Sequence, residues 1–212
     1  MIRRRARVHL TWPPADPAGV KSFPRRALDR GVEVFRIVQK GRRPWWFGNS
    51  MEGRFDLAEP HGTCYLATDP VSASLEVLRP AGTGGPVLTE FLASRRLRRL
   101  RLPRDHSLAD LTSRGTSAYG VTLEIHTVTP YHRPQAWAAC LFRSGAEGLW
   151  YLLRNDPQPS PGIALFGRAG ERRWRSGREE IIPQEVIARL RDECGITVAD
   201  RPRFASLRIH QQ

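Results

Sequence analysis

The apolar residues of this chain come in short bursts. VEVFRIV (32–38), GTCYLAT (62–68), EGLWYLL (147–153) and GIALFG (162–167) are strand-length runs, β-branched, alternating or apolar throughout, and the segments between them are rich in Gly, Pro, Asn and Asp. Such runs suit strands and are too short for ordinary helices, so the core has to be organised around a sheet. GPVLTEFLA (85–93) and RRLRRLRL (95–102) read as further strands, and YGVTLEIHTV (119–128) fits strand and helix equally. Helical signals are confined to three places. Asp69 offers an N-cap and Pro70 a first helical position, opening a helix to about Leu78 that stops before Pro80. RPQAWAACLFRSG (133–145) is helical with Gly145 to end it, and PQEVIARLRDECG (183–195) stripes Val186, Leu190 and Cys194 ahead of Gly195. Residues 1–30, with Pro13, Pro14, Pro17 and Pro24, read as a loosely packed lead-in holding at most a short helix. The expected fold is α+β: a mixed β-sheet core with flanking helices over residues 31–212, in one domain. No internal repeat, GxGxxG or P-loop pattern is present, so the common nucleotide cradles are excluded.

No apolar run approaches the length of a membrane span, and MIRRRARVHLTWPPADP lacks the apolar stretch of a signal peptide. Cys64, Cys140 and Cys194 are odd in number and far apart, which fits neither a disulfide framework nor a zinc site and points to a reducing cytoplasm. The net charge of +13 is almost all arginine, since Lys21 and Lys40 are the only lysines. It clusters in RRRAR (3–7) and RRLRRLRLPR (95–104). In the second cluster Arg96, Arg98 (or Arg99) and Arg101 alternate loosely with Leu97, Leu100 and Leu102. That pattern fits a solvated edge strand protected by its charge. It fits equally a surface for phosphates or an acidic partner protein. The charge also suggests a nucleic-acid-binding or RNA-cleaving function. Against direct nucleic-acid binding, the aromatics are not interleaved with the basic runs as a stacking platform requires. The six histidines are scattered without an acid–base pair.

Within GRFDLAEPHGTCYLATDPVSASLE (53–76), Arg54, Tyr65 and Glu76 recur at equal intervals. Strand alternation puts Tyr65 on the face of Thr63 and Ala67, opposite Cys64 and Leu66. On the helix, Val71, Leu75 and Leu78 form the apolar stripe, and Glu76 lies about 100° around from Leu75, at its border. From there it can line a cleft or pair with Arg79 three residues on. His61 is either a solvated turn residue or a cleft-mouth residue. Trp45 and Trp46 either wall a pocket or pack in the core, and Trp137 and Cys140 read as packing.

The pieces FR (35–36), GRFD (53–56), GTCYLA (62–67) and SASLE (72–76) together resemble the RES-domain family. These are toxin components of bacterial toxin–antitoxin pairs, named for an arginine, a glutamate and a serine. The likeness continues through EGLWYLLRNDP (147–157) and GIALFG, and covers residues 32–167; the helix at 183–194 lies beyond it. The resemblance implies a fold similar to ADP-ribosyltransferase toxins and NAD as substrate, with no metal. It implies cleavage of the nicotinamide–ribose bond by a glycohydrolase or phosphorylase, or ADP-ribosyl transfer to a protein. It also implies a helix-turn-helix antitoxin as partner, which blocks the cleft, and leaves a homo-oligomer open. Carried over by position, Arg36, Arg54 and Phe55 would contact NAD, Tyr65 would be the aromatic at the nicotinamide, and Glu76 the central acid. The family serine follows a tyrosine near an RHDP-like turn, and aligning YLLRNDP (151–157) there puts Leu153 in its place. Ser144 and Ser160 do not fit without a shift. A member that binds NAD without turning it over is therefore a further reading.

Overall fold

The computed structural model describes residues 9–81, 85–156, 158 and 160–201, so the basic run at 3–7 lies outside the described residues. In chain order its first half comprises β1 (Arg25–Leu28), β2 (Glu33–Gln39), β3 (Trp46–Phe47), β4 (His61–Ala67), α1 (Pro70–Ala81), β5 (Val87–Leu88), α2 (Thr89–Ala93) and β6 (Arg95–Arg101). The second half comprises β7 (His106–Asp110), α3 (His132–Arg143), β8 (Gly148–Leu152), β9 (Pro161–Arg168), β10 (Gly170–Glu171), β11 (Arg178–Glu180), α4 (Gln184–Cys194) and β12 (Val198–Ala199). The expected mixed α+β architecture is what forms. Eight strands make one sheet in the order β1-β7-β8-β9-β4-β2-β6-β11. Within it β7 and β8 run parallel, whereas the other neighbours are antiparallel.

Both faces of the sheet are covered, which is why β2 and β4 bury residues of both parities. Phe35, Ile37 and Ala67 belong to the larger core, together with Leu75 of α1 and Trp137 and Leu141 of α3. Val34, Cys64 and Leu66 face the other way into a smaller core with Trp45, Phe47 and Leu100. Among the described residues no helix is long and apolar enough to cross a membrane.

One irregularity of the sheet matters for function. β2 and β4 are in register at a single pair, Phe35↔Ala67, although each is seven residues long. Ala67 is the last residue of β4, the two strands part from that pair back along β4, and α1 packs on both. A seam between β2 and β4 is thus left beneath the helix.

Several expectations change in the folded chain. From residue 9 on, the supposed lead-in is part of the domain: Leu10, Val20 and Phe23 are buried in the larger core, and β1 is a strand of the main sheet. α1 is capped as expected, the Asp69 carboxylate accepting from the Val71 and Ser72 amides at 2.9 and 3.0 Å. It does not stop before Pro80 but runs through it to Ala81. GPVLTEFLA is a two-residue strand followed by a short helix, which brings Val87 and Leu92 to the same core. Residues 119–128 are neither strand nor α-helix; they hold a 3-10 turn over Leu123–His126. β6 is not an edge strand, since β11 pairs along it. Leu97 and Leu100, three apart, lie on opposite faces of the sheet and serve different cores. Three of its arginines are answered by glutamates: Glu179 pairs with Arg98 and Arg96, and Arg99 reaches Glu33 at 3.0 Å.

Candidate active site

A cavity of about 760 Å³ opens over the seam between β2 and β4, a size typical of small-molecule sites. Arg54, Tyr65 and Glu76, spaced along the sequence, all line it, joined by Tyr131, Tyr151, Leu153 and Arg154. Four parts of the chain assemble them: β4 with the loop before it, the helix α1, the segment just before α3, and the end of β8 with the turn after it.

The loop is tied down by Asp56. Its buried carboxylate accepts from the Gly53 amide at 3.0 Å and from the Tyr65 hydroxyl at 2.9 Å. The same hydroxyl accepts from the Phe55 amide at 2.8 Å, so both hydrogen-bonding directions of Tyr65 are used and only its ring is presented to the cavity. Burial, with Asp56 adjacent, pushes the Tyr65 phenol well above its ordinary range. Gly53 is required by this arrangement. A Cβ there would sit 2.3 Å from the Asp56 carboxylate and 2.7 Å from the Tyr65 hydroxyl. From the far side, the Gln135 amide of α3 donates to the Met51 and Gly53 carbonyls at 2.8 and 3.0 Å.

Arg54 is thereby held with 8% of its surface exposed. Its guanidinium donates to the Val128 carbonyl at 2.8 Å and lies 4.6 Å above the centre of the Tyr131 ring. Arg154 donates to the hydroxyl of the same tyrosine at 3.3 Å, so Tyr131 sits between two cations. Burial lowers the Arg54 guanidinium from its usual value, while Tyr131 and Glu76 oppose that shift.

Glu76 faces this pair from α1. Its carboxylate accepts from the Asn155 amide at 3.0 Å, and Asp156 contacts the Ser72 hydroxyl at 2.8 Å. The turn at 154–156 is in this way fastened to the helix that carries the acid. Arg79, the other partner considered for Glu76, directs its guanidinium to the Cys194 carbonyl at 3.5 Å. Burial raises the Glu76 carboxyl above its ordinary value; the Asn155 amide, Arg54 and Arg154 pull it back down. Tyr151, 7% exposed, has its phenol raised by burial and by the Glu76 charge. The cavity can accordingly hold a ligand with both anionic and cationic parts: guanidinium forks for the first, a carboxylate and aromatic rings for the second.

Not every expected residue converges there. The backbone of Arg36 borders the seam, but its guanidinium turns to the opposite sheet face, donating to the Pro44 carbonyl, the Trp46 carbonyl (3.1 Å) and Cys64 Sγ (2.9 Å). Phe55 is fully buried behind the wall, edge-on to Tyr151 at 4.9 Å. His61 stacks near Phe142, with ring centres 4.6 Å apart. Trp45 is buried and Trp46 exposed, and neither lines the cavity. Leu153 does line it, 5% exposed, whereas Ser144 binds Arg25 at the end of α3 and Ser160 lies outside the wall.

The family model of the RES domain matches residues 33–192. The chain belongs to the RES domain family. Among solved structures, a chain of the M. tuberculosis MbcT–MbcA toxin–antitoxin complex is similar in fold, with TM-score 0.55 and 19% identity, covering 73% of this chain and 83% of that one. No curated protein is significantly similar to the sequence. The RES match extends past the motif-bearing stretch through most of α4, which packs against α1. Within this RES domain, sequence reasoning assigned no role to Tyr131, Tyr151 or Arg154. Tyr151 and Arg154 do stand inside the EGLWYLLRNDP stretch, flanking Leu153, where their spacing could have flagged them. Tyr131 carries no local signal.

Proposed function

We propose that this RES domain is an NAD-consuming toxin that breaks the nicotinamide–ribose bond, as a glycohydrolase or phosphorylase, with ADP-ribosyl transfer as a variant. The observation that carries the reading is the Glu76 carboxylate, set in the same cavity as Arg54 and Arg154 and walled by tyrosine rings. When the bond between ribose C1 and the nicotinamide nitrogen breaks, its electron pair neutralises the pyridinium and positive charge builds on C1 and the ring oxygen. A carboxylate accepting a hydrogen bond from a ribose hydroxyl stabilises that state most where water is scarce. The diphosphate suits the guanidinium forks of Arg54 and Arg154, and the Tyr65 ring suits the cationic nicotinamide. Water, phosphate or a protein side chain then captures C1. Glu76 has to be ionised for this role, so the rate should fall as pH drops through its raised pKa.

The test is nicotinamide release from NAD by the purified chain. Glu76→Gln should lower it by about 100-fold or more. Full turnover in that variant, or none in the wild type, would sink the role assigned to Glu76. By the same reading the chain acts in the cytoplasm and is held by a helix-turn-helix antitoxin that covers the cavity, in line with a neighbour solved as a toxin–antitoxin complex.

Leu153 favours a second reading, a domain that binds NAD without cleaving it, because an apolar side chain stands at the cavity wall where the family resemblance expects a hydroxyl. An NAD-induced rise in melting temperature with no nicotinamide release would select it.

A further inference from the structure

A second cavity, of about 790 Å³, lies where the start of β2 meets the end of β6, between those strands, the β1–β2 turn and the segment leading into β11. Five arginines line it, Arg30, Arg99, Arg101, Arg175 and Arg178, against one carboxylate, Glu33. Part of this charge is balanced locally. Arg99 pairs with Glu33 at 3.0 Å and with Glu180 at 3.8 Å, and Arg178 also reaches Glu180 at 3.8 Å. Among the described residues no carboxylate forms an ion pair with the guanidinium of Arg30, Arg101 or Arg175, although the Arg30 amide donates to the Asp105 carboxylate at 2.6 Å.

The cavity is built rather than incidental. The Arg175 carbonyl accepts from the buried Trp45 indole at 2.8 Å, which fixes the segment carrying that arginine. At Gly177 (φ 62) the segment presses so close to β6 that a Cβ would lie 2.0 Å from the Arg99 carbonyl. Arg101, which lines the cavity, is anchored through one guanidinium nitrogen to the Gly31 carbonyl at 3.2 Å. Three exposed guanidinium groups from three separate segments, none paired with a carboxylate, therefore border one concavity and give it a positive potential that draws an anion.

We propose that this cavity is a second anion site, distinct from the one lined by Glu76, and that it takes a compact oligophosphate. The only apolar side chains in the lining are Leu102 and Pro103, and no aromatic ring is among them. A nucleic-acid base would have nothing to stack on, and an acidic peptide would have little for its apolar side chains. An extended peptide also spreads its charges at about 3.3 Å per residue on alternating sides. An oligophosphate concentrates several charges within one cavity and presents paired oxygens to guanidinium forks. Arg99 also lies 5.2 Å above the Phe35 ring, and Phe35 lines the Glu76 cavity, so the two sites are neighbours through one contact.

Calorimetric titration of the full chain with inorganic tripolyphosphate tests this. Binding should weaken steeply as salt is raised. Arg101→Glu and Arg175→Glu should each lower affinity by about tenfold or more, the worth of one charge-assisted contact. Arg175 is exposed, so that substitution leaves folding intact, which circular dichroism would verify. Nicotinamide release should persist in both variants, and Glu76→Gln should keep wild-type tripolyphosphate affinity, which separates this proposal from the NAD reading. Three outcomes overturn it: unchanged affinity in both arginine variants, loss of binding in Arg154→Ala instead, or tighter binding of a polyglutamate peptide of matched charge.

Discussion

Protonation of His126 should destabilise this protein by a calculable amount and should undo the Arg54 anchor with it. The imidazole is 4% exposed, in the turn Leu123–His126, and its Nδ1 accepts from the Leu152 amide at 3.3 Å. Burial pushes its pKa down from 6.5 to about 4, against an opposing pull from the Leu111 backbone and with a lesser push in the same direction from the Arg54 charge. A base with a depressed folded pKa contributes stability that is fully present above its unfolded pKa and is lost as pH falls toward the folded one. The shift of about 2.5 units, at about 1.4 kcal/mol each, makes the loss about 3 kcal/mol between pH 6.5 and 4. His126→Asn removes the titration while its side-chain oxygen can still accept from Leu152. Urea unfolding of both proteins between neutral pH and about pH 4 is the assay. The wild type should lose about 3 kcal/mol more than the variant across that window. Glu76, whose raised folded pKa adds stability at acid pH that is lost as pH rises through it, is common to both proteins and cancels in the difference. Parallel pH profiles would refute the reasoning. Because the Val128 carbonyl that holds Arg54 is two residues from His126, nicotinamide release should also fall at higher pH in the wild type than in the variant.

Other substitutions probe the site separately. Gly53→Ala should cost about 1–3 kcal/mol through the clash with Asp56 and Tyr65, lowering the melting temperature by several degrees and turnover with it. A variant that melts and turns over like wild type would show that the loop can yield. Tyr131→Ala removes the ring beneath Arg54 and should raise KM for NAD by a factor matching about 0.5–2 kcal/mol, whereas Tyr131→Phe keeps the ring and should lose less. Equal effects would mean that the hydroxyl contact to Arg154 matters more. Leu153→Ser should accelerate nicotinamide release at the expense of about 1–3 kcal/mol of stability. A slower enzyme would mean that the leucine is a working part of this cavity.

The local signals in this sequence were reliable because short-range physics sets them. Asp69 and Pro70 start α1, Gly145 and Gly195 follow the ends of α3 and α4, and alternation puts Tyr65 in the larger core and Cys64 in the smaller. Grouping Arg54, Tyr65 and Glu76 needed the family resemblance, which supplied a ligand that wants all three. Signals failed where a neighbour decides the outcome. The arginine-rich β6 reads as an edge strand until β11 pairs along it, and a chain start rich in proline reads as loose until Leu10 and Phe23 find the core.

By itself, then, the sequence determined the sheet-centred α+β class, the start of α1, the ends of α3 and α4 and the candidate acid. Tertiary structure alone decided which residues surround that acid. Glu76 meets Asn155 across 79 positions and Arg54 meets Val128 across 74, and no local pattern encodes contacts at such separations. It also decided that the Arg36 guanidinium leaves the site. Parity tells that neighbours in a strand point to opposite faces, but only the pairing of Phe35 with Ala67 and the packing of α1 tell which face holds the cavity.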